Sequence, residues 1–150
     1  MTDESAEQVD LQIMRPEVAV HHLDQATAAL RVAVERGVDI QLKSAPGAAA
    51  SAGVGYLQAL GEAVGQELLI DCRGDAGLVM AAFRSGCGMV MFSGSGDERQ
   101  RLGQMANRCG ALLRGPADPS LPCLELLPED NEVIVHDWLD AVAETVKASS

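Results

Sequence analysis

Three apolar runs along the chain are each followed by small or polar residues and then by a helical pattern. The runs span residues 38–43, 68–72 and 89–92, and the loops after them begin Ser44-Ala45-Pro46-Gly47, Arg73-Gly74-Asp75 and Ser93-Gly94-Ser95-Gly96. This alternation predicts βα units that feed one parallel sheet. Because ligand sites in such sheets form where the strands end, the three loops are the expected place for function.

Weaker patterns fill the rest of the chain. Residues 17–20 fit either a strand or the first turn of a helix, whereas residues 111–113 and 122–127 fit short strands. Apolar positions at helical spacing predict helices near residues 54–65 and 97–108.

Local signals predict where three other helices begin and end. Asp24 and Asp75 are candidate N-caps, Gly37 suits the left-handed residue that ends a helix, and the last helix begins near Asp130. The predicted buried face of that last helix consists of residues at four-residue steps, namely Ile134, Trp138, Val142 and Val146.

These elements predict a single α/β domain over residues 15–150, preceded by an acidic and poorly ordered arm at residues 1–14. The sheet is expected to be mostly parallel, with four to five strands and flanking helices. Two architectures are compatible with this order, a half-(β/α)8 barrel and an open doubly wound sheet. A half barrel leaves an unpaired edge, so we expect a homodimer.

The charge distribution narrows the classes of partner. The formal net charge is −11, which argues against nucleic acid and anionic membranes because both require basic patches. Residues 1–35 carry −5 and residues 116–150 carry −7, whereas residues 36–115 carry +1, so a small anionic ligand fits the centre. No run approaches the roughly 18 apolar residues of a membrane span, and the acidic N-terminus lacks a signal-peptide pattern. We therefore expect a cytoplasmic protein.

The second loop carries the main candidate chemistry. A carboxylate that closes a buried strand is costly without a partner or a task, so Asp71 is a candidate general base or hydroxyl-orienting group. Arg73 is suited to hold a phosphate or carboxylate. The alternative is a structural loop, in which Asp71 bonds Arg73 or the backbone and Asp75 caps the next helix.

The other two loops offer weaker candidates for ligand binding. Ser93, Gly94 and Ser95 precede a helix, and glycine allows backbone amides to turn toward an anion there. Ser44 is a candidate ligand contact in the first loop. Asp97 and Glu98 already complement the helix dipole, so a tight capped turn is the alternative interpretation.

Cofactor and metal signatures are missing from the sequence. The chain lacks GxxxxGK[ST], and its small-residue segment 44–55 lacks GxGxxG, so we expect no cofactor. The four cysteines form no CxxC pair and are expected to be reduced thiols, with Cys87 and Cys109 buried at helix-to-strand turns. The adjacent histidines at 21 and 22 project in different directions, so we expect no metal site.

The stretch from Ile70 to Ser95 resembles the middle of class II fructose-bisphosphate aldolases. By that resemblance Asp71 matches the family's catalytic acid/base aspartate, and Cys72 stands at the position of a zinc-binding histidine. Phe92-Ser93-Gly94-Ser95 matches an Asp-Gly-Ser strand end, with Ser93 in place of the aspartate. The resemblance covers about 26 residues and implies barrel-like βα architecture. The whole chain is also similar to small bacterial α/β proteins.

The leading functional hypothesis is a homodimer that binds a small anionic metabolite at the strand-end loops through Asp71, Arg73, Ser93 and Ser95. One alternative is a non-catalytic interaction or regulatory module that uses an apolar edge or the acidic tail. A second alternative is a divergent aldolase-like, metal-dependent lyase.

Overall fold

The computed structural model describes residues 15–116 and 120–149. The predicted arm at residues 1–14 lies outside the described residues. The side chain of Val146, predicted to be buried, is also not among those described. The strands are β1 (Glu17–Val20), β2 (Gln41–Ser44), β3 (Ile70–Asp71), β4 (Met89–Met91), β5 (Leu112–Arg114) and β6 (Cys123–Glu125). The helices are α1 (Leu23–Arg36), α2 (Ala48–Ser51), α3 (Val54–Val64), α4 (Ala76–Arg84), α5 (Gly96–Cys109) and α6 (Glu132–Ser149).

The predicted α/β class and parallel strands are confirmed, but the predicted single sheet of four to five strands is not. The described residues form two three-stranded parallel sheets, with strand orders β2-β1-β6 and β3-β4-β5. Neither the half barrel nor the open doubly wound sheet is confirmed. The strands are shorter than the apolar runs predicted, although flanking residues such as Ile40 and Phe92 are buried and Phe92 N still donates to Arg114 O at 2.9 Å.

The two sheets join at β2 and the residues before β3. Lys43 and Leu69 form an isolated parallel bridge, in which Ser44 N donates to Leu69 O at 2.9 Å and Leu69 N donates to Leu42 O at 3.0 Å. The six strands therefore follow one another as β6-β1-β2-β3-β4-β5. In a flat sheet of this order β1 and β5 would lie about 19 Å apart. Arg114 of β5 nevertheless lies within hydrogen-bond distance of Glu17 of β1, so the strands curl and bring the two sheets together.

The two faces of the curled sheets have different compositions because successive side chains on a strand alternate. One face is apolar and packs against the helices. On this face the strand residues Val18, Leu42 and Val90 belong to the same core cluster as Val32 of α1 and Leu57 of α3. Because the chain is rich in glycine and poor in aromatic residues, this core consists mainly of aliphatic side chains. The opposite face, called the inner face below, carries the alternate positions of each strand and is partly polar.

A buried ionic cluster crosses the inner face. Glu17 is fully buried, Lys43 is 8% exposed and Arg114 is 7% exposed. Arg114 Nη1 donates to Glu17 Oε2 at 2.5 Å, and Lys43 Nζ lies 3.4 Å from Glu17 Oε1. A buried carboxylate is tolerated only when it is paired, so both cations are required to hold Glu17 in this position.

Helix ends follow local signals in most places. Gly37 adopts the left-handed conformation that ends α1, and Asp75 caps α4, as predicted, and Gly110 ends α5 in the same left-handed conformation. The prediction for Asp24 is wrong, because the ring of His22 accepts from Gln25 N and caps α1 two residues earlier. Gln25 then donates to Leu127 O and ties α1 to the loop after β6.

The last helix presents the predicted face in part, because Val142 is buried and Trp138 packs against the core as predicted, whereas Ile134 does not. Val135, Leu139 and Val142 are buried, whereas Ile134 is 38% exposed. The face is rotated because α6 packs against α1, where Arg36 Nε reaches Asp140 Oδ1 at 3.1 Å. Among the helices that the structure describes, none combines the length and the hydropathy that a membrane span requires.

Removing Arg114 tests the importance of the cross-sheet contact. Arg114→Met should cost about 3–5 kcal/mol of unfolding free energy, because it leaves Glu17 buried with one of its two cations. Urea denaturation followed by circular dichroism measures this cost. The control is Arg36→Ala, which removes an exposed ion pair and should cost under about 1 kcal/mol. Equal costs for the two variants would contradict the cross-sheet role.

Candidate functional site

The three predicted strand-end loops meet at one edge of the molecule. Asp71 N donates to Ser44 Oγ at 2.8 Å, which joins the ends of β2 and β3. Ser93 N donates to Arg73 O at 2.7 Å, which joins the loops after β3 and β4. The guanidinium of Arg73 extends toward the first loop, where Nη2 would lie 3.9 Å from a Cβ at Gly47. The sequence thus correctly placed these loops together.

The loop after β3 has an unusual backbone. Arg73 has φ 52°, the one positive φ among the described non-glycine residues. Asp71 Oδ1 accepts from Arg73 N at 2.9 Å, and this local bond holds the turn. Asp75 Oδ1 accepts from Leu78 N at 3.1 Å and starts α4. A left-handed conformation costs a non-glycine residue about 1–2 kcal/mol, so the surrounding bonds hold Arg73 against its own preference.

A groove of about 570 Å³ opens beside this loop. Gly47 and Ala50 form one wall, and residues 71–76 with Leu78 form the other. Arg73 and Asp75 are exposed in it, while Asp71 is half-buried. This volume lies within the range of small-molecule sites. The groove therefore offers one cation and two carboxylates around a space of metabolite size.

The remaining predicted ligand residues occupy other positions. Ser44 is fully buried, and its hydroxyl is used by the Asp71 amide. Ser93 is exposed beside the groove, with its Oγ 3.5 Å from a Cβ at Gly74. Gly94 packs against the ring of Phe92, and Ser95 is the N-cap position of α5 without a side-chain cap bond. Ser93 and Arg73 are thus adjacent, whereas Ser44 has a structural task.

The Cys72 thiol lies under the groove and is 1% exposed. Burial, together with the nearby carboxylate of Asp71, raises the pKa of Cys72 to about 12. A thiol that stays protonated is a poor nucleophile and a poor metal ligand. In the described part of the chain, no group of three or more His, Cys, Asp or Glu side chains is placed to hold a metal ion. The lyase alternative therefore gains no support from the geometry.

A second cavity has no lysine or arginine among its lining residues. It has a volume of about 410 Å³ and lies between α1 and the loop after β6, and its lining includes His22, Gln25 and Asp130. These three already bond the backbone: His22 Nε2 lies 3.1 Å from Pro128 O, Gln25 donates to Leu127 O, and Asp130 accepts from Leu127 N. These contacts hold the loop after β6 in place.

Two features of the cysteines and charges were missed by sequence reasoning. Cys109 is exposed and not buried, because it ends α5 on the solvent side. The buried cluster of Glu17, Lys43 and Arg114 was not predicted. A signal was present, since each of these charges stands directly beside an apolar residue in its strand that packs in the core, so the charges mark the opposite face.

Comparison of the chain with protein-family models, with curated proteins and with solved structures gives no match. The resemblance to class II aldolases therefore stays a prediction, and the groove must be interpreted from its own chemistry.

Alkaline titration tests the burial of Cys72. Its pKa rises from 9.0 to about 12 on folding, so the stability it contributes is complete below pH 9 and is lost as pH rises toward 12. Between pH 8 and pH 10.5 this thiol should lower the unfolding free energy by about 2 kcal/mol. The raised pKa values of Cys87 and Lys43 act in the same direction.

Urea denaturation at both pH values, under reducing conditions, measures the loss. Cys72→Ala should lose about 2 kcal/mol less than the wild type over this interval, whatever its stability at pH 8. Cys109→Ala is the matched control because Cys109 is exposed, and it should keep the wild-type pH dependence. An unchanged pH dependence in Cys72→Ala would show that the thiol ionises freely in the folded state.

Proposed function

We propose that the groove at residues 71–78 binds a small hydroxylated metabolite that carries a phosphate or carboxylate group. The observation that carries the proposal is Arg73, which is held at φ 52° with its guanidinium over Gly47. Strained residues are retained where the strain serves a site. Here the strained backbone of Arg73 directs its guanidinium, which is the one cation among the residues that line the groove, across the opening of the groove.

Arg73 supplies the anion-binding group. Its side chain is exposed, and within the described ranges no carboxylate lies within ion-pair distance of it. A guanidinium matches phosphate and carboxylate oxygens in a two-pronged geometry. The hydroxyl of Ser93 lies beside Gly74 of the groove, whereas the amide of Ser93 is already used by Arg73 O. The hydroxyl of Ser93 is therefore the second proposed contact.

Asp71 and Asp75 supply acceptors for hydroxyl groups. In the described contacts each carboxylate uses Oδ1 for a backbone amide. Its Oδ2 atom is then available to accept from a ligand hydroxyl. Two carboxylates also repel a purely anionic ligand, so a molecule with an anionic end and a hydroxylated body fits better than phosphate alone. Asp71 is the residue proposed to orient a hydroxyl or take its proton.

The curl of the strands supports this placement of the site. Six parallel strands in consecutive order, with β1 next to β6, are the arrangement of an incomplete parallel barrel, and we propose that architecture. Parallel barrels use the loops at the carboxyl ends of their strands for ligands. The groove lies at that end of β2 and β3.

A thermal-shift series at Arg73 tests the function. Glucose 6-phosphate should raise the melting temperature of the wild type, because a ligand that binds only the folded state stabilises it. Arg73→Ala should abolish the rise, and glucose should give none with either protein. Arg84→Ala is the matched control, since Arg84 is exposed at the end of α4 and outside the groove.

Arg73→Gly separates the ligand-binding role of the Arg73 side chain from the backbone strain at this position. It should raise the unfolding free energy by about 1 kcal/mol, since glycine adopts a positive φ without a steric penalty, and it should also abolish the ligand response. No response of the wild type to sugar phosphates or to hydroxycarboxylates such as citrate would overturn the binding proposal. In that event the interaction module becomes the preferred hypothesis.

A further inference from the structure

A second arginine lies at the carboxyl ends of the strands, outside the groove. Arg99 is the fourth residue of α5, and its Nη1 donates to Phe92 O at 3.1 Å, at the end of β4. The same guanidinium covers Gly115 at the end of β5, since a Cβ at Gly115 would lie 3.2 Å from Arg99 Nη2. Arg99 therefore bridges the ends of two neighbouring strands, on the edge of the molecule that carries the groove.

The charge of Arg99 has no anionic partner in the described part of the chain. Asp97 and Glu98 precede it in the helix, but residues one or two positions apart on a helix do not face each other. No carboxylate of the described residues lies within ion-pair distance of Arg99. A cation near a helix N-terminus is also repelled by the helix dipole. A guanidinium carries several N–H donors, and the described contacts use one of them.

A single peptide unit joins Arg99 to the proposed anion site. Its carbonyl is Phe92 O, which accepts from Arg99, and its amide is Ser93 N, which donates to Arg73 O at 2.7 Å. The carbonyl and the amide of a trans peptide point in opposite directions, so the two arginines flank Ser93 from opposite sides.

The spacing of the strands sets the distance between the two cations. The guanidinium of Arg73 lies at the ends of β2 and β3, over Gly47, and that of Arg99 lies at the ends of β4 and β5. These positions are two strand spacings apart, which is about 10 Å. One small molecule that passes Ser93 can therefore reach both guanidinium groups.

We propose that Arg99 is a second anion-binding residue, so that the ligand carries an anionic group at each end of a hydroxylated body. This inference rests on the proposed function, because it extends the same ligand from Arg73 past Ser93. A separation of about 10 Å matches an extended six-carbon chain with a phosphate at one end and a carboxylate at the other. The class of ligand is therefore a phosphorylated sugar acid.

The net charge of the protein gives this proposal a definite sign. The chain carries −11, and Asp97 and Glu98 are exposed beside Arg99. The field of an acidic protein repels a more negative ligand. An added carboxylate on the ligand should therefore weaken binding unless a cation is placed to receive it, and Arg99 reverses that expectation.

Isothermal titration calorimetry with 6-phosphogluconate and glucitol 6-phosphate tests the proposal. Both are open six-carbon chains with one phosphate, and they differ in whether the other end is a carboxylate or an alcohol. The wild type should bind 6-phosphogluconate roughly tenfold more tightly, because a charged hydrogen bond is gained. Equal or weaker binding of 6-phosphogluconate, or no binding of either compound, would overturn the role of Arg99. The response to glucose 6-phosphate then decides the proposed function at Arg73 separately.

Arg99→Gln assigns the preference to the charge of Arg99. Glutamine keeps an N–H donor for Phe92 O but is neutral, so the two compounds should bind this variant with similar affinity. Arg101→Gln is the matched control, because it removes the same charge from an exposed position on another face of α5, and it should keep the preference. Circular dichroism confirms that both variants are folded. A folded Arg99→Gln protein that keeps the tenfold preference would show that another group receives the carboxylate.

Discussion

The architecture depends on the contact between Glu17 and Arg114. Two three-stranded ladders supply few backbone bonds each, and the bridge at Lys43 and Leu69 joins them along one side only. The buried ion pair joins them across the inner face. Since separating β1 from β5 would leave the buried carboxylate of Glu17 with Lys43 as its remaining cation, such an arrangement is penalised. One interaction therefore specifies the curl that the short strands cannot specify themselves.

Sequence patterns predicted the local elements better than their assembly. Caps and stops at Gly37, Asp75 and Gly110 depend on neighbouring residues, so they could be predicted from the chain. The pairing of Glu17 with Arg114 joins residues 97 positions apart, and no local pattern encodes it. The cap of α1 is His22 and not Asp24 for a similar reason. The His22 ring also bonds Pro128 O, a contact between residues that are distant in the sequence.

The candidate site was predictable as a place but not as a set of roles. The rule that loops after parallel strands meet at one edge was sufficient to bring Asp71, Arg73 and Ser93 together. It could not distinguish Ser44, whose burial depends on the short joint between the two sheets. The strained backbone of Arg73 and the position of Arg99 over Gly115 are likewise tertiary properties. They arise from hydrogen bonds and register that the sequence does not display.

The joint between the sheets has a mechanical consequence. Gly47 lies on the β2 side of this joint and Arg73 on the β3 side, so the groove spans the boundary between two halves of the molecule. A ligand that contacts both sides would stabilise the contact between the two sheets. By thermodynamic linkage, a change that weakens this contact would also lower the affinity for the ligand. Under the proposed function, mutations that loosen the joint would therefore weaken ligand binding even when they leave every groove side chain in place.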